Sequence, residues 1–175
     1  MGVAGSGKST IGPLLAQALQ CPFLEGDALH PAANIEKMSR GVPLTDTDRA
    51  PWLAAIRLHL RDAYEHGQGI VVACSALKRS YRLELGRGLP IVWVHLRGSA
   101  RLIRSRLERR SGHFMQAGML GSQLDALEVP ADAIVADITL PPAAVVERIL
   151  AALRAKHEAR VTETTIDRTA DDLEG

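Results

Sequence analysis

The start of the chain has residue types and a spacing that suit phosphate binding. Residues 1–9 read Met-Gly-Val-Ala-Gly-Ser-Gly-Lys-Ser, a complete Walker A motif. Glycines let the backbone turn its N–H groups toward a phosphate, while Lys8 can reach the β/γ oxygens and the Ser9 hydroxyl can bind Mg²⁺. The motif predicts binding of a nucleoside triphosphate. The predicted nucleotide-binding residues are Gly2, Val3, Ala4, Gly5, Ser6, Gly7, Lys8, Ser9 and Thr10, with Ser9 as the metal ligand.

A single residue, Met1, precedes this loop in the sequence. A loop of this type joins the carboxyl end of a buried parallel strand to a helix. We therefore expect the first strand, which would lie in the centre of the sheet, to be missing from the chain. On this interpretation Met1 is an internal methionine of a longer natural protein.

A second candidate group lies in the run Glu25-Gly-Asp27-x-x-His30-Pro31. This run follows a predicted strand near Pro22–Leu24, so it lies at the carboxyl edge of the sheet beside the loop. Asp27 could accept a proton from a substrate hydroxyl or orient a metal-bound water, although a helix cap is the plainer alternative. His30 could hydrogen-bond a substrate or be an ordinary loop histidine.

Cations follow the predicted strand near Ile70–Cys74. This strand lacks the acidic residue of an ordinary Walker B site, so Mg²⁺ would depend on Ser9, water, the nucleotide and Asp27. Lys78 and Arg82 could hold an anionic substrate, since a guanidinium pairs well with a carboxylate. A solvated helix face explains the two cations equally simply.

Three arginines, Arg106, Arg109 and Arg110, lie along another predicted helix. The segment that follows, about residues 109–128, is predicted to be a lid. Such a lid excludes water and brings an arginine to the transferring phosphoryl group, a role we predict for Arg106 and Arg110. The alternative is an exposed helix whose arginines confer solubility.

The composition indicates one cytosolic α/β domain. The chain has 175 residues, of which 46% are hydrophobic and 3% aromatic, enough for one core of aliphatic side chains. A formal net charge of +1 gives no reason to expect nucleic-acid or membrane binding. Cys21 and Cys74 lack metal-ligand or redox spacing, which favours two reduced thiols. No apolar stretch is long enough to span a membrane.

Short apolar runs alternate with helical patterns, as in a parallel sheet built from βαβ units. Strands are predicted near Pro22–Leu24, Ile70–Cys74, Ile91–Leu96 and Ala133–Ile138, and helices over Lys8–Leu19, Pro51–His66, Ala100–Arg110 and Ala143–His157. We predict a single domain over residues 1–157, with a substrate-binding segment at about 30–66. Residues 158–175 are predicted to be a disordered tail, because they lack apolar periodicity.

Several blocks of the sequence together resemble one family. Beyond the Walker A loop they are Glu25-Gly-Asp-x-x-His-Pro-x-x-Asn34-x-x-Lys37-Met38-x-x-Gly41-x-Pro43-Leu44-x-Asp46-x-Asp48-Arg49-x-Pro51-Trp52, Cys74-Ser-Ala-Leu-Lys78-x-x-Tyr81-Arg82, Arg109-x-x-Gly112-His113-Phe114 and Ser122-Gln123. In these blocks the chain is similar to the gluconokinases, small P-loop kinases related to shikimate and nucleoside monophosphate kinases. The resemblance runs from Gly2 to about Ile149.

The resemblance implies a three-layer α/β/α fold with a parallel sheet and transfer of the γ-phosphate of ATP to D-gluconate, with Mg²⁺ required. It also implies a cytoplasmic homodimer. On matching positions, Lys8, Asp27, Arg106 and Arg110 would be catalytic. The substrate-binding residues would be Asp27, His30, Lys37, Arg49, Ser75, Lys78, Arg82 and His113.

Three alternatives stay open on the sequence. A shikimate-type kinase would ordinarily show a glycine triplet where this chain has Cys74-Ser75-Ala76, and a nucleoside monophosphate kinase would show an Asp-Gly-Phe-Pro-Arg run after the same strand. An inactive nucleotide- or gluconate-binding protein would result if the missing strand left the loop misplaced.

Overall fold

The computed structural model describes residues 1–109 and 120–171. Four strands and seven α-helices alternate along these ranges. In chain order they are α1 (Lys8–Ala18), β1 (Phe23–Glu25), α2 (Ala32–Ser39), α3 (Asp46–Glu65), β2 (Val71–Ala73), α4 (Arg79–Gly86), β3 (Val94–Arg97), α5 (Ala100–Glu108), α6 (Leu120–Asp125), β4 (Ile134–Asp137) and α7 (Pro142–Asp171), with a short 3-10 helix at Gly26–Leu29 after β1.

The strands form two parallel pairs between layers of helices. β1 pairs with β2, with Glu25 opposite Ala73, and β3 pairs with β4. Neighbouring residues of β2 face opposite cores, because side chains alternate along a strand. Val71 packs in the core that α1 and α7 cover, whereas Val72 packs in the core beneath α3 and α4. This arrangement confirms the predicted α/β/α layering and parallel pairing.

The backbone at Met1 and Gly2 lies between the two strand pairs. The Met1 amine donates to the carbonyl of Val94, and the Leu96 amide donates to the Met1 carbonyl at 3.0 Å. Gly2 donates to the carbonyl of Ser75 on the other side, at 3.3 Å. A mainly apolar cavity of about 400 Å³ adjoins Met1 between β2 and β3. In the described residues α1 is the first element.

Helix α3 begins five residues earlier than the predicted start at Pro51. Its N-terminus is a capping box, in which the Thr45 hydroxyl accepts from the Asp48 amide at 3.2 Å and the Asp48 carboxylate accepts from the Thr45 amide at 2.9 Å. This reciprocal pair satisfies two backbone donors that a helix start would otherwise leave unpaired. Proline suits a first turn, which is why sequence reasoning placed the start too late.

Other boundaries also differ from the prediction. All four predicted strands are present within three residues of their expected ends, but α2, α4 and α6 were not predicted as separate helices. α7 continues as helix to Asp171, whereas the sequence predicted an end at His157 and a disordered tail after it. The division into a domain and a tail stays a prediction.

The core beneath α3 should be sensitive to loss of volume. Ile56 is 0% exposed, whereas Leu58 on the same helix is 65% exposed. We expect Ile56→Ala to lower the free energy of unfolding by about 2–5 kcal/mol, because it removes buried methyl groups and leaves a cavity. Leu58→Ala is the matched control and should change it by less than about 0.5 kcal/mol. Urea denaturation of both variants measures this, and equal effects would contradict the assigned core.

Candidate active site

The phosphate loop needs its glycines for both backbone shape and packing. Gly5 and Gly7 have φ of +78° and +95°, in the left-handed region that side chains disfavour. A Cβ on Gly5 would lie 2.8 Å from the Leu107 side chain, so α5 packs directly on the loop. Gly7 precedes the first residue of α1 and offers no side-chain cap. The N–H groups and the positive dipole end of α1 are therefore not occupied by a side-chain cap, an arrangement that suits a phosphate.

Lys8 is held by its own loop. Its ammonium donates to the carbonyls of Gly2 and Val3 at 3.0 and 3.1 Å, and the residue is 9% exposed. Ser9 and Thr10 are exposed in the first turn of α1. A buried lysine next to exposed hydroxyls fits a site in which a phosphate and its metal enter from solvent.

One cavity lies on the α7 side of the loop and has a volume of about 290 Å³. Arg106 and Arg109 line it together with the loop, and Ile138, Leu140 and Pro142 form an apolar wall. Arg106 is fixed there, because its guanidinium donates to the Ile138 carbonyl at 2.7 Å. The cavity thus joins cations to an apolar surface, a combination that suits a nucleotide.

A second cavity, of about 140 Å³, lies on the other side of the loop. We call it the acceptor cavity. Parallel pairing of β1 with β2 brings their carboxyl ends to one edge, and the segments that follow both strands line the cavity. Sequence-predicted residues that line it are Ala4, Lys8, Asp27, His30, Arg49, Ser75 and Lys78.

Two predicted substrate-binding residues point elsewhere. Lys37 pairs with Asp48 at 2.6 Å, behind the first turn of α3. Arg82 is 6% exposed and donates to the carbonyls of Ala76 and Leu77 at 2.9 and 2.8 Å. Ala76 has φ of +41°, so Arg82 stabilises a strained turn after β2.

Two further predicted residues, Arg110 and His113, lie outside the described residues. Residues 110–119 of the predicted lid lie outside them as well, and the lid and both residue roles stay predictions. The same holds for the assignment of any single side chain to catalysis.

His30 is buried within a stack of side chains. Its ring lies parallel to that of Trp52, with centroids 4.4 Å apart, and Asn34 lies 3.4 Å from its Nδ1. Trp52 in turn donates to the Gly26 carbonyl at 2.7 Å. Burial lowers the pKa of His30 to about 4, with Asp27 opposing this shift and Arg49 adding to it. The ring is therefore neutral near pH 7.

Sequence reasoning missed residues that act through other residues. Asp46 accepts from the Lys78 ammonium at 2.6 Å and from the Tyr81 hydroxyl, at the mouth of the acceptor cavity. Gln123 on α6 accepts from the Ala4 amide of the phosphate loop at 2.7 Å. Both residues belong to the sequence blocks that resemble the gluconokinases, but their type and spacing alone do not show which groups they contact.

Comparison with known proteins decides between the kinase classes that share this architecture. A family model described as shikimate kinase matches residues 4–154. A gluconokinase of Gluconobacter oxydans (strain 621H) is 57% identical over 133 residues, covering 75% of this chain and 75% of that protein. The chain belongs to the gluconokinase family. The thermoresistant gluconokinase of Escherichia coli (strain K12) is 42% identical and covers 81% of this chain, which itself spans 83% of that protein.

Solved structures confirm the fold of this gluconokinase-family chain. The crystal structure of a gluconokinase from Sinorhizobium meliloti 1021 has a TM-score of 0.83 at 45% identity and covers 93% of this chain and 94% of its own. An APS kinase of Mycobacterium tuberculosis has a TM-score of 0.65 at 15% identity, which shows a shared fold alone. No described helix combines the length and apolar character needed to cross a membrane.

The lowered pKa of His30 predicts a pH dependence of stability. Between its ordinary value of 6.5 and about 4, the unfolded chain binds a proton at this ring that the folded chain does not. The free energy of unfolding should therefore fall as the pH drops through this window. His30→Gln removes this titrating group. We therefore expect the slope of the free energy of unfolding against pH to decrease by an amount that corresponds to at most one bound proton. Urea denaturation between about pH 7 and pH 5 measures this slope. An NMR titration of the His30 ring with a midpoint near 6.5 would contradict this prediction.

Proposed function

We propose that this chain transfers the γ-phosphate of ATP to the 6-hydroxyl of D-gluconate, giving 6-phospho-D-gluconate and ADP. One observation carries the proposal: Lys8, Asp27 and Arg49 line one cavity beside the phosphate loop. Lys8 could bind a phosphate, Asp27 could bind the reacting hydroxyl, and Arg49 could pair with a carboxylate. The gluconokinase relatives described above support the same acceptor.

The chemistry proposed for the site is mainly positioning and charge stabilisation. Asp27 stands in the short helix after β1, half-buried, and would orient the substrate hydroxyl and accept its proton. Lys8 would move from the carbonyls of Gly2 and Val3 to the β/γ-phosphate oxygens. Together with Arg106 on the nucleotide side, it would spread the charge that develops during transfer.

The magnesium site is proposed on the donor set. The exposed Ser9 hydroxyl at the start of α1 suits one oxygen ligand, and phosphates and water would supply the others. When bound, Mg²⁺ would neutralise charge on the phosphate oxygens and so help ADP to depart as the leaving group. The neutral His30 ring and the Ser75 side chain face the same cavity and would hydrogen-bond the hydroxyls of the sugar acid.

Several finer assignments belong to this proposal. Arg110 and His113 would serve the lid over residues 109–128. Lys78 would act beside Arg49, while Arg82 and Lys37 would act indirectly through the segments they hold. We also propose a homodimer in the cytoplasm that acts on a small molecule.

A coupled assay of ADP release tests the function. The chain would be given ATP and Mg²⁺ with D-gluconate, shikimate or a nucleoside monophosphate as acceptor. We expect turnover with gluconate and little with the others, and Lys8→Ala should reduce that turnover to background. A shift in thermal stability with gluconate or ATP but no turnover would instead support a binding protein.

Asp27 is the sharpest single test of the mechanism. We expect Asp27→Asn to lower kcat about 100-fold, because an amide cannot accept the hydroxyl proton. Asp132→Asn, at an exposed position away from the cavity, is the matched control and should leave kcat unchanged. If Asp27→Asn keeps more than about a tenth of the activity in a folded preparation, Asp27 is not the base.

A further inference from the structure

Asp46 occupies a place in the acceptor cavity to which the proposed function gives no role. It is the first residue of α3, and its carboxylate lies 2.6 and 2.9 Å from the Lys78 ammonium. It also accepts the hydroxyl hydrogen of Tyr81, which is 7% exposed. Three side chains from two helices and the turn before α4 thus meet at one end of the cavity.

Two cations lie near the ring of Tyr81. The Lys78 ammonium lies 5.4 Å from the ring centroid, and the Arg49 guanidinium lies 5.8 Å from it. Lys78 has a carboxylate partner in Asp46. Arg49 has none within ion-pair distance among the residues that the structure describes. Both cations thus lie near the same ring, but Asp46 forms an ion pair with Lys78 and interacts with Arg49 only over a longer distance.

The pKa shifts of the pair agree with this difference. Hydrogen bonding to Lys78 lowers the pKa of Asp46, and hydrogen bonding to Asp46 raises the pKa of Lys78. Both groups are therefore charged at neutral pH. His30 adds no charge there, because its pKa is about 4.

The charges that remain can be assigned one by one. Lys8 serves the phosphates and Asp27 the reacting hydroxyl, both on the proposed function. Asp46 and Lys78 offset each other. Among the described cavity residues, Arg49 is then the cationic group beside Lys78 whose charge no carboxylate within ion-pair distance offsets, so it would supply most of the attraction for the acceptor's own charge.

We propose that Asp46 is a specificity-determining residue. It compensates the charge of Lys78 and so makes the acceptor cavity selective for a sugar acid with one negative charge over one with two. This inference rests on the proposed function, since it concerns the acceptor of that reaction. The added negative charge of a sugar diacid or a phosphorylated sugar acid is repelled by the Asp46 carboxylate, which offsets the attraction of Lys78 for it.

The experiment compares two ligands that lack the reacting hydroxyl. D-glucarate carries a carboxylate at each end, whereas 6-deoxy-D-gluconate carries one. Isothermal titration calorimetry at low ionic strength gives the Kd of each for the wild-type chain, Asp46→Asn, Lys78→Met and the double variant. Because binding is measured directly, a failure of gluconate turnover in the coupled assay is a separate result.

We expect Asp46→Asn to tighten 6-deoxy-D-gluconate about threefold and D-glucarate about tenfold, since Coulomb attraction to the exposed Lys78 charge scales with ligand charge. Both gains should shrink as salt is added. The double variant should return the ratio of the two Kd values to within about twofold of wild type, because it removes both charges together. Asp62→Asn, an exposed carboxylate near the other end of α3, is the matched control and should leave the ratio unchanged.

Other outcomes would overturn the proposal. If Asp46→Asn weakens both ligands by the same factor, or if the double variant behaves like Asp46→Asn, then Asp46 is a structural contact between α3 and α4. An unchanged ratio in a variant whose thermal unfolding matches wild type would also exclude the proposed role. Tyr81→Phe tests whether the hydrogen bond to Asp46 matters apart from charge. It removes that hydrogen bond but no charge, so the ratio of the two Kd values should equal that of the wild type.

Discussion

The close approach of Gly26 to Ala73 is the constraint on which the rest of the site depends. A Cβ on Gly26 would lie 2.6 Å from the Ala73 carbonyl oxygen, so no other residue fits there without moving β1 from β2. The Gly26 carbonyl in turn accepts from Trp52, which ties α3 to the same point. Asp27 is the next residue in the chain, and His30 follows three residues later. Their places in the cavity thus derive from one backbone contact between two short strands.

From this junction, the site is assembled by segments that each contribute one kind of group. The phosphate loop supplies backbone N–H groups and Lys8, the turn after β1 supplies Asp27, and the first turns of α3 supply Arg49. Parallel strands make this possible, because their carboxyl ends share one edge while helices cover both faces. Charges can then be added or compensated at the edge with little effect on the buried layers.

Much of the fold could be read from the sequence, and so could the chemical character of the site. Strands such as Val71–Ala73 are continuous apolar runs, and the Walker A spacing follows from phosphate geometry. Helices α2 and α4 have eight residues each and α6 has six, which is too short for a clear amphipathic period. The sequence also identifies Arg82 as a cation, but it does not show where the side chain points. Its carbonyl partners become visible only when the turn at Ala76 is folded.

The position of Lys8 has a consequence for hydration. An ammonium in water binds solvent strongly, and stripping that solvent opposes the binding of any anion. At Lys8 the loop carbonyls of Gly2 and Val3 already replace most of this water, since the residue is 9% exposed. The dehydration has thus taken place during folding of the loop. On the proposed function, an arriving phosphate would replace the carbonyl oxygens around an ammonium that has already lost most of its water.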